Sequence, residues 1–296
     1  MSSTSAPVAE TGKGVIYGVL AYSIWGCFPL YFALFEGIPA WEVLIHRILW
    51  SCVFMVGLVS ALRRWQPVRE ALAQPGRLGR VLGCAMLIAL NWGVFIYAIE
   101  TRQGLQASLG YFLTPLVNVA LGMLVLRERM AKLQRVAVAL AGAAIVMQLI
   151  LLGEVPWVAL LLALSFGTYG LLRKQVTLDG LSGLFVETLL LFPLGAAALA
   201  WLYLSGSSHF LDDGHQSVLL ITTGAVTAIP LMLFAGAARR LRLATVGFLM
   251  YINPTMQFVI ALLVFREPLS AAQLSGFVLI WAGLALYSWS AWQSRD

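Results

Sequence analysis

The chain is a succession of long apolar runs separated by short polar breaks. Crossing the hydrocarbon core of a bilayer takes about 20 apolar residues in a helix. Ten runs come near that length: 15–35, 41–62, 80–99, 104–126, 133–152, 156–172, 181–204, 217–238, 244–265 and 271–291. None alternates apolar with polar, as a barrel strand would, and all are rich in Leu, Ala and Gly. The pattern predicts ten transmembrane helices and no sheet. The sixth run is the shortest and carries Ser165, Thr168 and Tyr169. Residues 1–13 read as a disordered cytoplasmic tail and 293–296 as a second cytoplasmic tail. The first run is too long for a signal-peptide core and no small-residue cleavage pattern follows it, so it is expected to remain as a helix.

Composition agrees. Hydrophobic residues make up 60% of the 296 and charged residues 11%, against about 25% charged in soluble domains. The net charge of +6 would suggest nucleic acid in a soluble chain, but here the basic residues are sorted by loop. With the N-terminus inside, sixteen of nineteen Lys and Arg fall in inside segments. Arg102 and Arg266 fall outside, and Arg47 lies within a run. This is the ordinary bias of cytoplasmic loops, and it places both termini in the cytoplasm. Trp41, Trp157, Trp201, Trp289 and Trp292 sit near run ends, where aromatic belts form.

One segment occurs twice. Thr114-Pro115-Leu116 leads to Leu124-Val125-Leu126-Arg127-Glu128, and Asn253-Pro254-Thr255 leads to Leu263-Val264-Phe265-Arg266-Glu267. In each, Pro precedes the Arg-Glu pair by twelve residues. Ten helices with a repeat divide into five and five. Five is odd, so the second half is inverted: repeats 14–152 and 153–292. Duplicated halves build many transporter folds, with the substrate site at their interface. The Arg-Glu pairs are either interface anchors or remnants of the duplication.

Charged groups at membrane depth cost several kcal/mol and point to function. Those here are His46 and Arg47 in the second run and Glu187 in the seventh. Arg47 either snorkels to the outer interface or serves a site; His46 is either a proton acceptor or a hydrogen-bonded structural group. Glu187, read as the one carboxylate well inside a run, either takes part in coupling or is fixed by an Arg or amide. Asn91, Asn118, Asn253 and Gln257 add amides that serve either as glue between helices or as substrate contacts. Pro115 and Pro254 are expected mid-helix, freeing the carbonyls of Tyr111 and Met250 at corresponding depths. Small residues in the fifth run (Ala137, Ala141, Ala144) and the tenth (Ala272, Gly276, Gly283) mark packing helices, at the periphery or at a homodimer contact. Cys27, Cys52 and Cys84 lie in apolar stretches and no Cys/His spacing suggests a metal. No phosphate loop, HExxH or GxSxG motif occurs, so the reading is not an ATP-driven pump or a hydrolase.

Several segments carry a resemblance. Trp25-Gly26-Cys27-Phe28-Pro29-Leu30-Tyr31, His46-Arg47-Ile48-Leu49-Trp50-Ser51, Asn91-Trp92, Ser108-Leu109-Gly110-Tyr111-Phe112, Pro115-Leu116-Val117-Asn118, Tyr169-Gly170-Leu171-Leu172-Arg173-Lys174 and Glu187-Thr188-Leu189-Leu190 spread over nearly the whole chain. Together they resemble the EamA family of the drug/metabolite transporter superfamily, and within it the RarD branch, named for chloramphenicol sensitivity. The resemblance implies a multi-pass permease of the bacterial inner membrane that moves small molecules by alternating access. It implies a cavity lined by helices 1, 3, 4, 6, 8 and 9. Trp25, Trp92, Tyr111 and Tyr169 then supply aromatic walls and Asn91, Asn118, Asn253 and Gln257 polar contacts. Arg47 suits a carboxylate; Glu187 suits an ammonium or a coupling proton. The expected partners are a small-molecule substrate and the lipid bilayer, not nucleic acid. No cofactor is expected, with proton coupling left open. A membrane scaffold or sensor, and a lipid-modifying enzyme using His46 and Arg47, are the competing readings.

Overall fold

The computed structural model describes residues 5–126, 132–176, 178–241, 245–246 and 249–293. Among them all regular structure is helical. Eight spans are long and apolar enough to cross a bilayer. The first is α1 (Ser5–Gly26) continued by α2 (Phe28–Phe32). The next four are α3 (Ala40–Ala61), α5 (Pro75–Glu100), α6 (Gly104–Leu126) and α7 (Lys132–Leu152). The last three are α9 (Gly180–Leu204), α10 (Gly214–Ala238) and α12 (Ala271–Gln293). Two shorter apolar helices occupy the sixth and ninth runs: α8 (Trp157–Lys174), and α11 (Ile252–Val259) continued by a π-helical turn, Ile260–Val264. A short amphipathic helix after α3, α4 (Trp65–Leu72), was not expected. Exposed apolar side chains such as Leu124, Ile150, Trp201 and Leu204 cover the outside. That surface suits lipid, and the chain is a multi-pass membrane protein.

Local chemistry explains the breaks. Pro29, at the start of α2, donates no backbone N–H, so α1 cannot run on unbroken past Cys27. Arg63 and Arg102 take left-handed φ of 53° and 57° just past the ends of α3 and α5, where the next amide turns back onto the helix. Arg64 N thus donates to Val59 O, and Gln103 N to Ala98 O.

Helix packing positions the interior. α3 packs against α9 and α10, α10 against α1, and α8 against α5 and α6. At Gly224 of α10, a Cβ would collide with the Trp50 carbonyl and crowd the Ser51 amide of α3. The absent side chain brings the next turn of α10, with Thr227, against α3. α7 and α12, the least buried of the long helices, pack on one another. Ala137, Ala141 and Ala144 are buried with Phe277, Ile280 and Leu284, and Gly276 makes room for Gln148. The small-residue faces of the fifth and tenth runs are therefore used within the chain.

Two expectations change. Pro254 is in the first turn of α11, following Met250 and Tyr251 in a turn, and not in mid-helix. A first turn tolerates proline because its N–H groups lack intrahelical acceptors anyway. The pair Arg266-Glu267 is more than an interface anchor. Arg266 adopts φ of 54° and turns the chain so that Glu267, 6% exposed, reaches the start of α6. Its Oε1 accepts from Gly104 N at 2.7 Å and its Oε2 from Leu105 N at 2.8 Å. Burial raises the Glu267 pKa above the usual carboxylate range, although both amides and nearby Arg102 pull the other way. The matching pair Arg127-Glu128 lies outside the described residues, as do 1–4, 294–296 and parts of the ninth run.

Candidate functional site

Arg47 is the centre of the site. It is the eighth residue of α3 and only 3% exposed, so it does not snorkel. Its Nε donates to Thr227 Oγ1 of α10 at 3.1 Å. Its guanidinium carbon lies 4.2 Å from the ring centre of Trp92 (α5), and 5.2 Å and 5.3 Å from those of Phe32 and Phe28 (α2). The break after α1 matters here, because α2 presents Phe28 and Phe32 one turn apart to the same charge. Two phenols, Tyr31 and Tyr111, lie near Arg47. Tyr31 Oη donates to Leu219 O at 2.9 Å and lies 3.0 Å from Thr222 Oγ1, both on α10. Among the described residues no carboxylate pairs with Arg47.

Asn91 and Tyr111 adjoin this cluster. Asn91 Nδ2 donates to Leu162 O and Ser165 Oγ, each at 3.1 Å, and its Oδ1 accepts from Tyr111 Oη at 3.1 Å. All three polar positions of Asn91 are thus used to join α5, α6 and α8. Trp92, Asn91, Tyr111 and Arg47 come together. Of the other candidates, Trp25 borders the apolar cluster that holds Phe28 and Phe32, and Tyr169 the one that holds Trp92. Trp25 is half-buried and packs with Tyr22 and Phe234. Asn118 is exposed, with its Oδ1 beside Gly167. Asn253 Oδ1 accepts from Gln257 Nε2 at 2.7 Å, and buried Gln257 Oε1 has no partner among the described residues. Pro115 lies inside α6, and Ser108 Oγ of that helix donates to Pro254 O at 2.8 Å.

Glu187, 1% exposed, belongs to a second cluster. It lies 3.6 Å from Arg173 Nε and accepts from Tyr169 Oη at 3.3 Å. Arg173 also donates to Asp179 O at 2.8 Å, filling space that a side chain at Gly183 would occupy. Asp179 caps α9, accepting from Leu181 N and Ser182 N, and pairs with Arg64 at 3.2 Å. Glu187 is thus paired with an Arg in this structure.

His46 is fully buried. Its Nδ1 accepts from Trp50 Nε1 at 3.2 Å, and its ring packs 4.7 Å from Phe210. An accepting Nδ1 belongs to a neutral ring with its hydrogen on Nε2, which has no partner among the described residues. One carboxylate was overlooked in the sequence. Glu42, one turn before His46 and wholly buried, accepts from His209 N at 2.7 Å, from Ser208 Oγ at 3.2 Å, and lies 2.6 Å from His209 Nδ1. It holds the loop between α9 and α10 onto α3. Its i, i+4 spacing to His46 was the available signal.

The family profile described as the EamA-like transporter family matches the chain twice, over residues 12–150 and 155–289. A Vibrio cholerae protein described as an uncharacterized transporter is 43% identical, covering 94% of this chain and 93% of its own. Protein RarD of Escherichia coli strain K12 is 41% identical over 94% of each chain. The chloramphenicol-sensitive protein RarD of Pseudomonas aeruginosa is 33% identical over 95% of each. A solved crystal structure with 16% identity superposes over 96% of this chain and 99% of its own, with a TM-score of 0.59, which is a likeness of fold.

Proposed function

The chain belongs to the EamA-like transporter family, and from that premise we propose that it is a secondary transporter or permease of the bacterial inner membrane. It moves small amphipathic molecules, amino-acid-like or chloramphenicol-like, by alternating access. Ten spans form two inverted halves of five, with both termini in the cytoplasm. The double family match supports the duplication, and the sorting of basic residues to alternate loops supports the orientation. The observation that carries the reading is the Arg47 cluster. It sits between the two matched segments, with α2, α3, α5 and α6 from the first and Thr227 from the second, and it combines one charge with aromatic walls at membrane depth. Rocking of the halves would open that cluster to either side.

Counterflow in proteoliposomes tests this. Vesicles preloaded with an amino-acid panel or chloramphenicol are expected to take up one labelled class in saturable exchange. No exchange by folded, inserted protein across the panel would count against transport of these cargoes. Proton coupling at Glu187 is tested separately: if Glu187→Gln transports with its pH dependence intact, that role is removed.

A further inference from the structure

Four charged side chains are buried among the described residues: Glu42, Arg47, Glu187 and Glu267. Three have their charge answered within the protein, Glu42 at His209, Glu187 at Arg173 and Glu267 at two helix amides. Arg47 does not. A guanidinium has five N–H donors and keeps its charge at any physiological pH. One of the five donates to Thr227, and among the described residues the others meet no protein acceptor. The three rings favour the cation, but ring faces do not substitute for in-plane acceptors. An unpaired buried charge is otherwise expensive.

We propose that the missing partner is the cargo. Resting on the transporter reading, the Arg47 site takes a molecule with a single carboxylate on a flat or apolar body and discriminates against cations. The planar fork of the guanidinium matches a carboxylate in two parallel hydrogen bonds, and the Trp92, Phe28 and Phe32 rings suit an apolar body beside it. An ammonium finds no free carboxylate here, because Glu187 is held by Arg173 and Tyr169 in the other cluster. The amino group of an amino acid therefore contributes little, and the des-amino acid is an equally good ligand.

The test uses the purified full chain and a matched series: 3-phenylpropionate, its amide, 3-phenylpropylamine and phenylalanine. Thermal stabilisation in detergent is read first, then competition against whichever panel compound exchanges in counterflow. The expected result is comparable binding of 3-phenylpropionate and phenylalanine, with the amide and the amine at least tenfold weaker. Arg47→Gln is expected to abolish the preference for the anion. Thr227→Val, which keeps the Arg47 charge, is expected to weaken carboxylate binding several-fold in protein that remains folded. Equal binding of amide or amine, or an unchanged preference in folded Arg47→Gln, would overturn the assignment while any exchange left the transporter reading standing. Anion-specific stabilisation without any exchange would keep the site and sink transport. The absence of both stabilisation and competition by 3-phenylpropionate would sink the anion assignment.

Discussion

Arg47 and Glu187 are each the eighth residue of their helix, α3 and α9, and those helices pack together. Both are almost wholly buried. Their surroundings differ. Glu187 is answered by residues of its own neighbourhood, Arg173 and Tyr169, on the preceding helix. Arg47 is surrounded by rings and by one hydroxyl from the second matched segment, and among the described residues no carboxylate pairs with it. Burial of a charge is thus a weak guide to function. The missing partner is the stronger one, because a paired charge is explained by stability and an unpaired one is not.

The comparison is broken most strongly by making Glu187 as lonely as Arg47. Arg173→Ala is expected to cost about 3–5 kcal/mol, the usual penalty for stranding a buried charge, read as a lower thermal midpoint. Glu187→Gln in the same chain should restore much of it; no rescue would show that the pair is not the source. Next, Gly224→Ala presses a Cβ onto the Trp50 backbone and is expected to cost up to about 3 kcal/mol. It should also push Thr227 away from Arg47, so carboxylate binding should fall in protein that remains folded. Normal stability and binding would mean that α10 can shift without consequence.

Glu267 sharpens the contrast, since helix amides alone satisfy its carboxylate. Glu267→Gln leaves one amide without its acceptor and is expected to cost about 1 kcal/mol in unfolding measurements. The smallest effect is at Asp179. Burial raises its pKa, but the backbone and hydroxyl of Ser182 and the Arg64 charge outweigh that and hold it below the usual carboxylate range. Its stabilisation is present above that range and is lost as pH falls through the lowered value. The gap in thermal midpoint between the protein and Asp179→Asn, under about 1 kcal/mol for so exposed a group, should close toward acid pH. A gap that widened there would reverse the sign.

Much of the helical layout was legible because it depends on contiguous residues. The run 104–126 coincides with α6, and 41–62 differs from α3 by one residue at each end. Pro254 was misplaced because a proline reads alike in a first turn and in mid-helix until the preceding backbone is known. Glu42 was missed because it sits at the edge of a run, where carboxylates are usually solvated; its partners lie more than 160 positions away. The amides were identified as a set but not sorted. Asn91 is saturated by Leu162, Ser165 and Tyr111, while Asn118 is exposed.

By itself, the sequence determined that this chain is an all-helical membrane protein with a repeated segment. Bilayer thickness acts on uninterrupted apolar length, and that is written in order along the chain. Only the tertiary structure decided which buried charge lacks a partner among the described residues. Arg47 and Thr227 are 180 positions apart, and Glu267 and Gly104 are 163 apart. Pairing energy depends on a few ångströms between such groups, a distance set by how helices pack and not by their order.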